Sequence, residues 1–148
     1  MEIERKFLVK ELPELLDSYK KRRIEQAYLC TDPVVRVRQD NEDYYLTYKS
    51  KGLIAREEYN LPLTREAYAH LLEKADGNII TKTRYEIPEK NGLTIELDVF
   101  EGKFQGLILA EVEFESMEEA LAYTPPGWFG EDVSNSGQYQ NSVLSRLQ

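Results

Sequence analysis

The first seven residues, Met1 to Phe7, carry Glu2, Glu4 and Lys6 at every second position. If Ile3 and Phe7 occupy one face of an extended strand, the two-residue side-chain period collects those three charges on the other. Two carboxylates and an ammonium on one surface suit a divalent cation held beside a phosphate. Hard cations take oxygen ligands and often bind through one or two carboxylates plus the substrate's own oxygens. The ammonium would take another phosphate oxygen. A solvated strand face shows the same spacing in any single stretch, but here the pattern recurs. Arg36 and Arg38 alternate with Val35 and Val37, and Thr47, Lys49 and Lys51 oppose Tyr44, Leu46 and Tyr48. Arg56 and Glu58 share a face. Lys82, Arg84 and Glu86 align against Thr83, Tyr85 and Ile87; Glu96 and Asp98 oppose Ile95, Leu97 and Val99; Glu111 and Glu113 oppose Ala110, Val112 and Phe114.

These rows need strands to hold them. The spacing predicts eight, over residues 1–7, 22–30, 34–39, 44–51, 54–61, 79–88, 93–100 and 107–114, the second with the poorest alternation. Thr31-Asp32-Pro33 reads as a turn and Asn91-Gly92 as a hairpin. A short helix is expected at Leu12–Leu16, with Pro13 in its first turn. Thr64 caps a second helix whose stripe is Ala67, Tyr68, Leu71, Leu72 and Ala75. Ser116 and Glu119 form a capping box for a third, ending near Ala122. The stretch around 128–137 looks irregular, and 138–147 forms a final amphipathic turn or helix on Tyr139, Val143 and Leu147.

Short links between consecutive strands favour antiparallel pairing, and eight strands can close a barrel. A sheet with one face on a core and one in water would give the same alternation. Two details favour charged faces turned inward. Solvent faces mix Thr, Ser and Gln with charges, whereas these rows are almost purely Arg, Lys, Glu and Asp. The amphipathic helices also need apolar sheet surface outside the barrel. The expected fold is therefore α+β and β-dominated: an eight-stranded antiparallel closed barrel, one domain over residues 1–148, with a charged lumen and helices packed outside. Charges in such a lumen must be hydrated, paired or bound to ligand, because an uncompensated buried charge costs several kcal/mol. A polyanion with its metal is the natural guest, since guanidinium forks grip phosphate oxygens in bidentate fashion.

Composition narrows the classes. With 19 basic and 27 acidic residues the net charge is −8, which argues against a nucleic-acid or anionic-membrane binder. Cys30 is the sole cysteine, so no internal disulfide forms and a reducing, cytoplasmic setting is expected. No segment reads as a signal peptide, and no apolar run approaches the roughly 18 residues of a membrane helix. His70, the sole histidine, sits on a helix surface without a ligand partner nearby. A homodimer is left open.

Glu2-x-Glu4-x-Lys6, Arg36-x-Arg38, Leu-Thr-Tyr-Lys49, Lys82-x-Arg84, Glu96-x-Asp98 and Glu111-x-Glu113, in that order over nearly the whole chain, resemble the CYTH, or triphosphate tunnel metalloenzyme, superfamily. The resemblance implies an eight-stranded antiparallel tunnel and metal-dependent triphosphate hydrolysis. It implies Glu2, Glu4 and Glu113 as ligands of Mg²⁺ or Mn²⁺, with Glu111 orienting a basic neighbour or assisting. Lys6, Arg36, Arg38, Lys49, Lys82 and Arg84 would bind the triphosphate, and Lys51 and Arg56 share their parity. Glu96 and Asp98 look like the pair that supports a second metal or the attacking water, with Lys6 and Glu58 beside them as catalytic candidates. Near the end Asp132-Val133-Ser134 and Tyr139-x-Asn141 fit, whereas Ser136 and Gln138 stand where acidic and basic residues are expected.

Inorganic triphosphate is the favoured substrate, because so short a chain has little sequence to spare for a base pocket. Nucleoside and thiamine triphosphates are alternatives. Adenylate cyclase is less favoured, since the His-Phe element of that branch is absent. A polyphosphate- or nucleotide-binding barrel without turnover would not need all four of Glu2, Glu4, Glu111 and Glu113. A single-strand nucleic-acid-binding barrel would need exposed stacking aromatics and a basic groove.

Overall fold

Every alternating stretch forms a strand in the computed structural model, which describes residues 1–147. Gln148, the last residue of the expected domain, lies outside the described residues. The chain runs β1 (Glu2–Val9), β2 (Lys20–Thr31), β3 (Val34–Asp40), β4 (Asp43–Lys49), β5 (Ala55–Arg56), β6 (Glu58–Pro62), α1 (Arg65–Leu72), β7 (Asp76–Pro88), β8 (Thr94–Phe100), β9 (Ile108–Glu113), α2 (Met117–Ala122), β10 (Phe129–Asp132) and α3 (Asn141–Leu144). The sheet order is β10-β1-β9-β8-β7-β2-β3-β4-β6, with β5 returning to β1, and the pairings are antiparallel.

The strands at β5 and β6 are two pieces of the one expected over 54–61, parted at Glu57. The β6 piece stays on β4, while β5 pairs Arg56 with Glu2 and Ala55 with Ile3, so the barrel nearly closes. Gly52 makes that return possible. It has φ +140, and a Cβ there would come within 2.3 Å of the Ala55 carbonyl oxygen. Beyond Ile3 the same edge of β1 is taken by β10, with Phe7 opposite Asp132. An open strand edge demands backbone partners, and that demand draws a strand out of the stretch expected to be irregular. The expected helix at Leu12–Leu16 does not form. Leu15 takes a left-handed φ of 58, which stops a right-handed helix, and only a 3-10 turn at Leu16–Ser18 follows. The terminal helix shrinks to the four residues of α3.

Both helix caps form as expected. Thr64 accepts from the Ala67 amide at 3.0 Å and Ser116 from the Glu119 amide at 3.1 Å. Outside the barrel, α2 lays Ala120 and Tyr123 on Phe7, Leu97, Val112 and Phe114 of the sheet. A second apolar cluster lies within. Ile80, Phe100 and Leu109, on the inward parity of their strands, pack with Tyr28, Val34 and the tail residues Val133 and Leu144. Charged rows therefore line one part of the lumen, and an apolar plug fills one end. Among the described residues no helix is long and apolar enough to cross a membrane.

Candidate active site

Inward side chains of neighbouring strands stand opposite one another and form rows around the wall. Glu4 faces Glu113, Lys6 faces Glu111, and Glu111 faces Glu96. Round the barrel, Asp98 meets Arg84, which meets Arg22. Arg36 is flanked by Tyr28 and Thr47, and Lys49 is opposite Glu58. An acidic arc on β1, β9 and β8 thus looks across at a basic arc on β7, β2, β3 and β4. Between them lies a cavity of about 210 Å³.

Some of these charges neutralise one another. Lys49 Nζ lies 3.1 Å from Glu2 and 3.1 Å from Glu58, Arg56 lies 3.4 Å from Glu2, and Lys6 lies 3.6 Å from Glu111. Arg36 and Arg38 have no such partner among the described residues. Arg36 donates to Thr47 Oγ1 at 3.2 Å and Arg38 to Gln26 Oε1 at 2.7 Å, both neutral acceptors. The Arg36 Nε is buried without a partner among the described residues. Burial and the adjacent Arg36 push Arg38 down to about 9.

Opposite them, the Glu4 and Glu113 side chains make no hydrogen bond or ion pair among the described residues. Burial, with the charges of Glu111 and Glu2, pushes the Glu4 carboxyl up to about 8. Burial and the neighbouring Glu2 raise Glu113 as well. Glu111 goes the other way: Lys6 and Arg84 overcome its burial and hold it well below the usual carboxylate range. Glu58 is held down to about 2 against burial by its contacts with Glu2 and Lys49. No group of three or more possible ligands is gathered into a closed metal centre among the described residues. Two adjacent carboxylates without a cation still fit a hard divalent ion, which keeps several waters and completes its shell with substrate oxygens.

A family model for the CYTH domain matches residues 1–135. The chain belongs to the CYTH domain family. It is 39% identical over 147 residues to the inorganic triphosphatase of Nitrosomonas europaea, covering 97% of this chain and 96% of that protein. It is 36% identical over 154 residues to the inorganic triphosphatase of Acetivibrio thermocellus, covering 97% of this chain and 92% of that one. The crystal structure of the inorganic triphosphatase NE1496 superposes with a TM-score of 0.75 at 36% identity, over 100% of this chain and 96% of the other. CYTH is a triphosphatase family, and the nearly closed barrel is its fold.

Most of the residues expected from the CYTH resemblance meet at the cavity. Glu2, Glu4, Glu111 and Glu113 line it, as do Lys6, Arg36, Arg38, Lys49, Arg56 and Arg84, with Glu58 and Glu96 between. Three do not. Lys82 and Asp98 keep the inward parity but are fully buried and do not line the cavity. Asp98 spends both oxygens on Arg84, at 2.7 and 2.9 Å, and on Lys82 at 2.7 Å. Burial, only partly offset by Asp98, lowers Lys82 to about 7. Lys51 leaves the barrel altogether, because β4 ends at Lys49; its side chain is 83% exposed and pairs with Asp32. Lys51→Ala is therefore expected to leave kcat/KM within about twofold of the parent, as surface changes away from such features are nearly neutral; a tenfold loss in phosphate-release assays would return Lys51 to the site.

Sequence reasoning missed Arg22, Tyr28 and Asn60, which also line the cavity. Arg22 pairs with Asp40 and Glu96. The structure sets it in register opposite Arg84. The tail closes one side, with the Tyr139 carbonyl accepting from Lys6 Nζ at 3.2 Å and Asn141 from Lys82 at 3.3 Å.

Proposed function

We propose that this CYTH chain hydrolyses the terminal phosphoanhydride of inorganic triphosphate to pyrophosphate and phosphate, with Mg²⁺ or Mn²⁺ at Glu4 and Glu113. One observation carries the reading: unneutralised guanidinium groups and unneutralised carboxylates face each other across a single cavity. A polyanion chelating a divalent cation satisfies both sides at once, and neither alone does. The names of the two curated relatives support the same substrate.

Phosphoryl transfer needs mainly positioning and charge neutralisation. Arg36 and Arg38 grip phosphate oxygens with charge that no carboxylate cancels. Arg84, locked by Asp98 and Glu96, presents a fixed cation beside the acidic arc, and Lys6, Lys49 and Arg56 neutralise the rest of the chain. Glu96 and Glu58, both partly open to the cavity, orient the attacking water. The cation supplies charge neutralisation at the phosphate oxygens and a polarised water. Among the described residues Tyr28 is the only aromatic lining the cavity, and it is 3% exposed. That leaves little surface on which a base could stack, which favours inorganic over nucleoside triphosphate.

Phosphate release from tripolyphosphate, ATP and thiamine triphosphate, each with Mg²⁺ or Mn²⁺, tests the reading. Tripolyphosphate is expected to turn over fastest by a wide margin. Equal rates with ATP would overturn the substrate assignment, and tight metal-independent binding without release would make the barrel a carrier. Glu4 adds a pH test. Below about 8 its carboxyl holds a proton that an entering cation must displace. Metal affinity measured by calorimetry should rise by up to about tenfold per pH unit until about pH 8 and then level off. A flat profile between pH 6 and 9 would remove Glu4 from the ligand set.

A further inference from the structure

Thr47 lies directly between Arg36 on β3 and Asn60 on β6 in the register of the wall. Its side chain is fully buried, so its hydroxyl must find partners inside the protein. It accepts from Arg36 Nη2 at 3.2 Å and donates to Asn60 Oδ1 at 2.6 Å. Asn60 Nδ2 donates in turn to Glu58 Oε1 at 3.0 Å. The other Glu58 oxygen meets Lys49 Nζ at 3.1 Å, and the same ammonium reaches Glu2 at 3.1 Å. The donors run in one direction from guanidinium to carboxylate, so each bond polarises the next.

We propose that Thr47 and Asn60 are positioning residues that fix the Arg36 guanidinium toward the substrate and couple its orientation to Glu58, Lys49 and Glu2. The proposal rests on the phosphate-binding reading of the cavity. Its physical basis is a choice of acceptor. A carboxylate beside Arg36 would hold the fork in place but cancel its charge. A neutral hydroxyl holds one nitrogen and leaves the full positive charge for an anion. The neighbouring Arg38 is treated the same way by Gln26. Valine in place of Thr47 has nearly the same volume but can neither accept from Arg36 nor pass a proton donor to Asn60.

The test compares the parent with Thr47→Val, Thr47→Ser and Asn60→Ala. Tripolyphosphate binding to metal-free protein is read by calorimetry, and KM and kcat with Mg²⁺ are read separately. Thr47→Val is expected to weaken metal-free binding about tenfold, the size of one hydrogen bond to a charged group, and to raise KM by a similar factor with a smaller change in kcat. Thr47→Ser, which keeps the hydroxyl, should stay within about twofold of the parent. Asn60 is exposed at the cavity rim, so Asn60→Ala should fold even if Thr47→Val does not, and should weaken binding about threefold. Parent-like binding by Thr47→Val overturns the proposal, and so does equal damage from Thr47→Ser, which would mean that the packing matters rather than the hydroxyl. If Thr47→Val fails to fold, parent-like binding by Asn60→Ala overturns it instead. A parent that neither binds nor hydrolyses tripolyphosphate sinks the triphosphatase reading itself, a distinct outcome.

Discussion

Replacing Glu4 by glutamine is expected to reduce metal-dependent phosphate release on the order of a thousandfold while the barrel remains folded. Both halves follow from the same environment. Glu4 is buried, stands opposite Glu113 across the β1–β9 pair, and makes no ion pair among the described residues. Metal charge at the reacting phosphate is worth several kcal/mol, and each 1.4 kcal/mol is a factor of ten. Glutamine has the shape of the protonated carboxyl that Glu4 already is in metal-free protein below about pH 8. The substitution therefore asks nothing new of the fold. Sign matters here. A carboxyl raised from 4.5 to about 8 supports the fold fully below its unfolded value and withdraws that support as pH rises through about 8. Metal-free Glu4→Gln should accordingly melt no lower than the parent at pH 7 and higher at pH 9, while calorimetry shows weakened binding of Mg²⁺ or Mn²⁺. Turnover within tenfold of the parent, or parent-like metal affinity, would refute the assignment.

The same pair of strands shows why so much of the cavity was legible in the sequence. Parity decides which face a side chain takes, and in-register antiparallel strands carry that decision around the barrel, so Glu4, Glu111, Arg36 and Arg84 could be gathered from spacing alone. Parity holds only while the strand lasts. Lys51 has the parity of Thr47 and Lys49, but β4 has ended before it and the Gly52 turn carries it into solvent. Sequence also shows a carboxylate without its partners, so Asp98 read as a candidate for water or metal when both its oxygens are taken. Arg22 was hidden for the opposite reason: Lys20 to Arg23 is an unbroken basic run with no contrast between faces. β10 has no alternation worth the name, and it becomes a strand because half of one β1 edge had nothing else to bond. The apolar plug was overlooked because Ile80, Phe100 and Leu109 share a face with charged residues further along their strands.

Asp98→Asn should lower stability by about 3–5 kcal/mol, the penalty for removing one partner of a buried ion cluster, and should cost activity through Arg84. The bidentate contact, 2.7 and 2.9 Å from Arg84 Nε and Nη2, aims that guanidinium into the cavity. Arg84 together with Lys82 keeps the Asp98 carboxyl below its ordinary value in spite of burial. A depressed carboxyl contributes stability above its unfolded value of 3.8 that disappears on acidification, so the acid limb of the parent's stability curve should flatten in the variant. Asparagine can accept one bond from Arg84 but supplies no charge to Lys82. Because Lys82 is charged only below about pH 7, the stability difference between parent and variant should be larger at pH 6 than at pH 9, measured by denaturant unfolding. A residue acting as the base for the attacking water would behave differently. Its amide would abolish turnover at every pH while leaving unfolding free energies close to the parent's, and that result would move Asp98 from a scaffold for Arg84 into the chemistry.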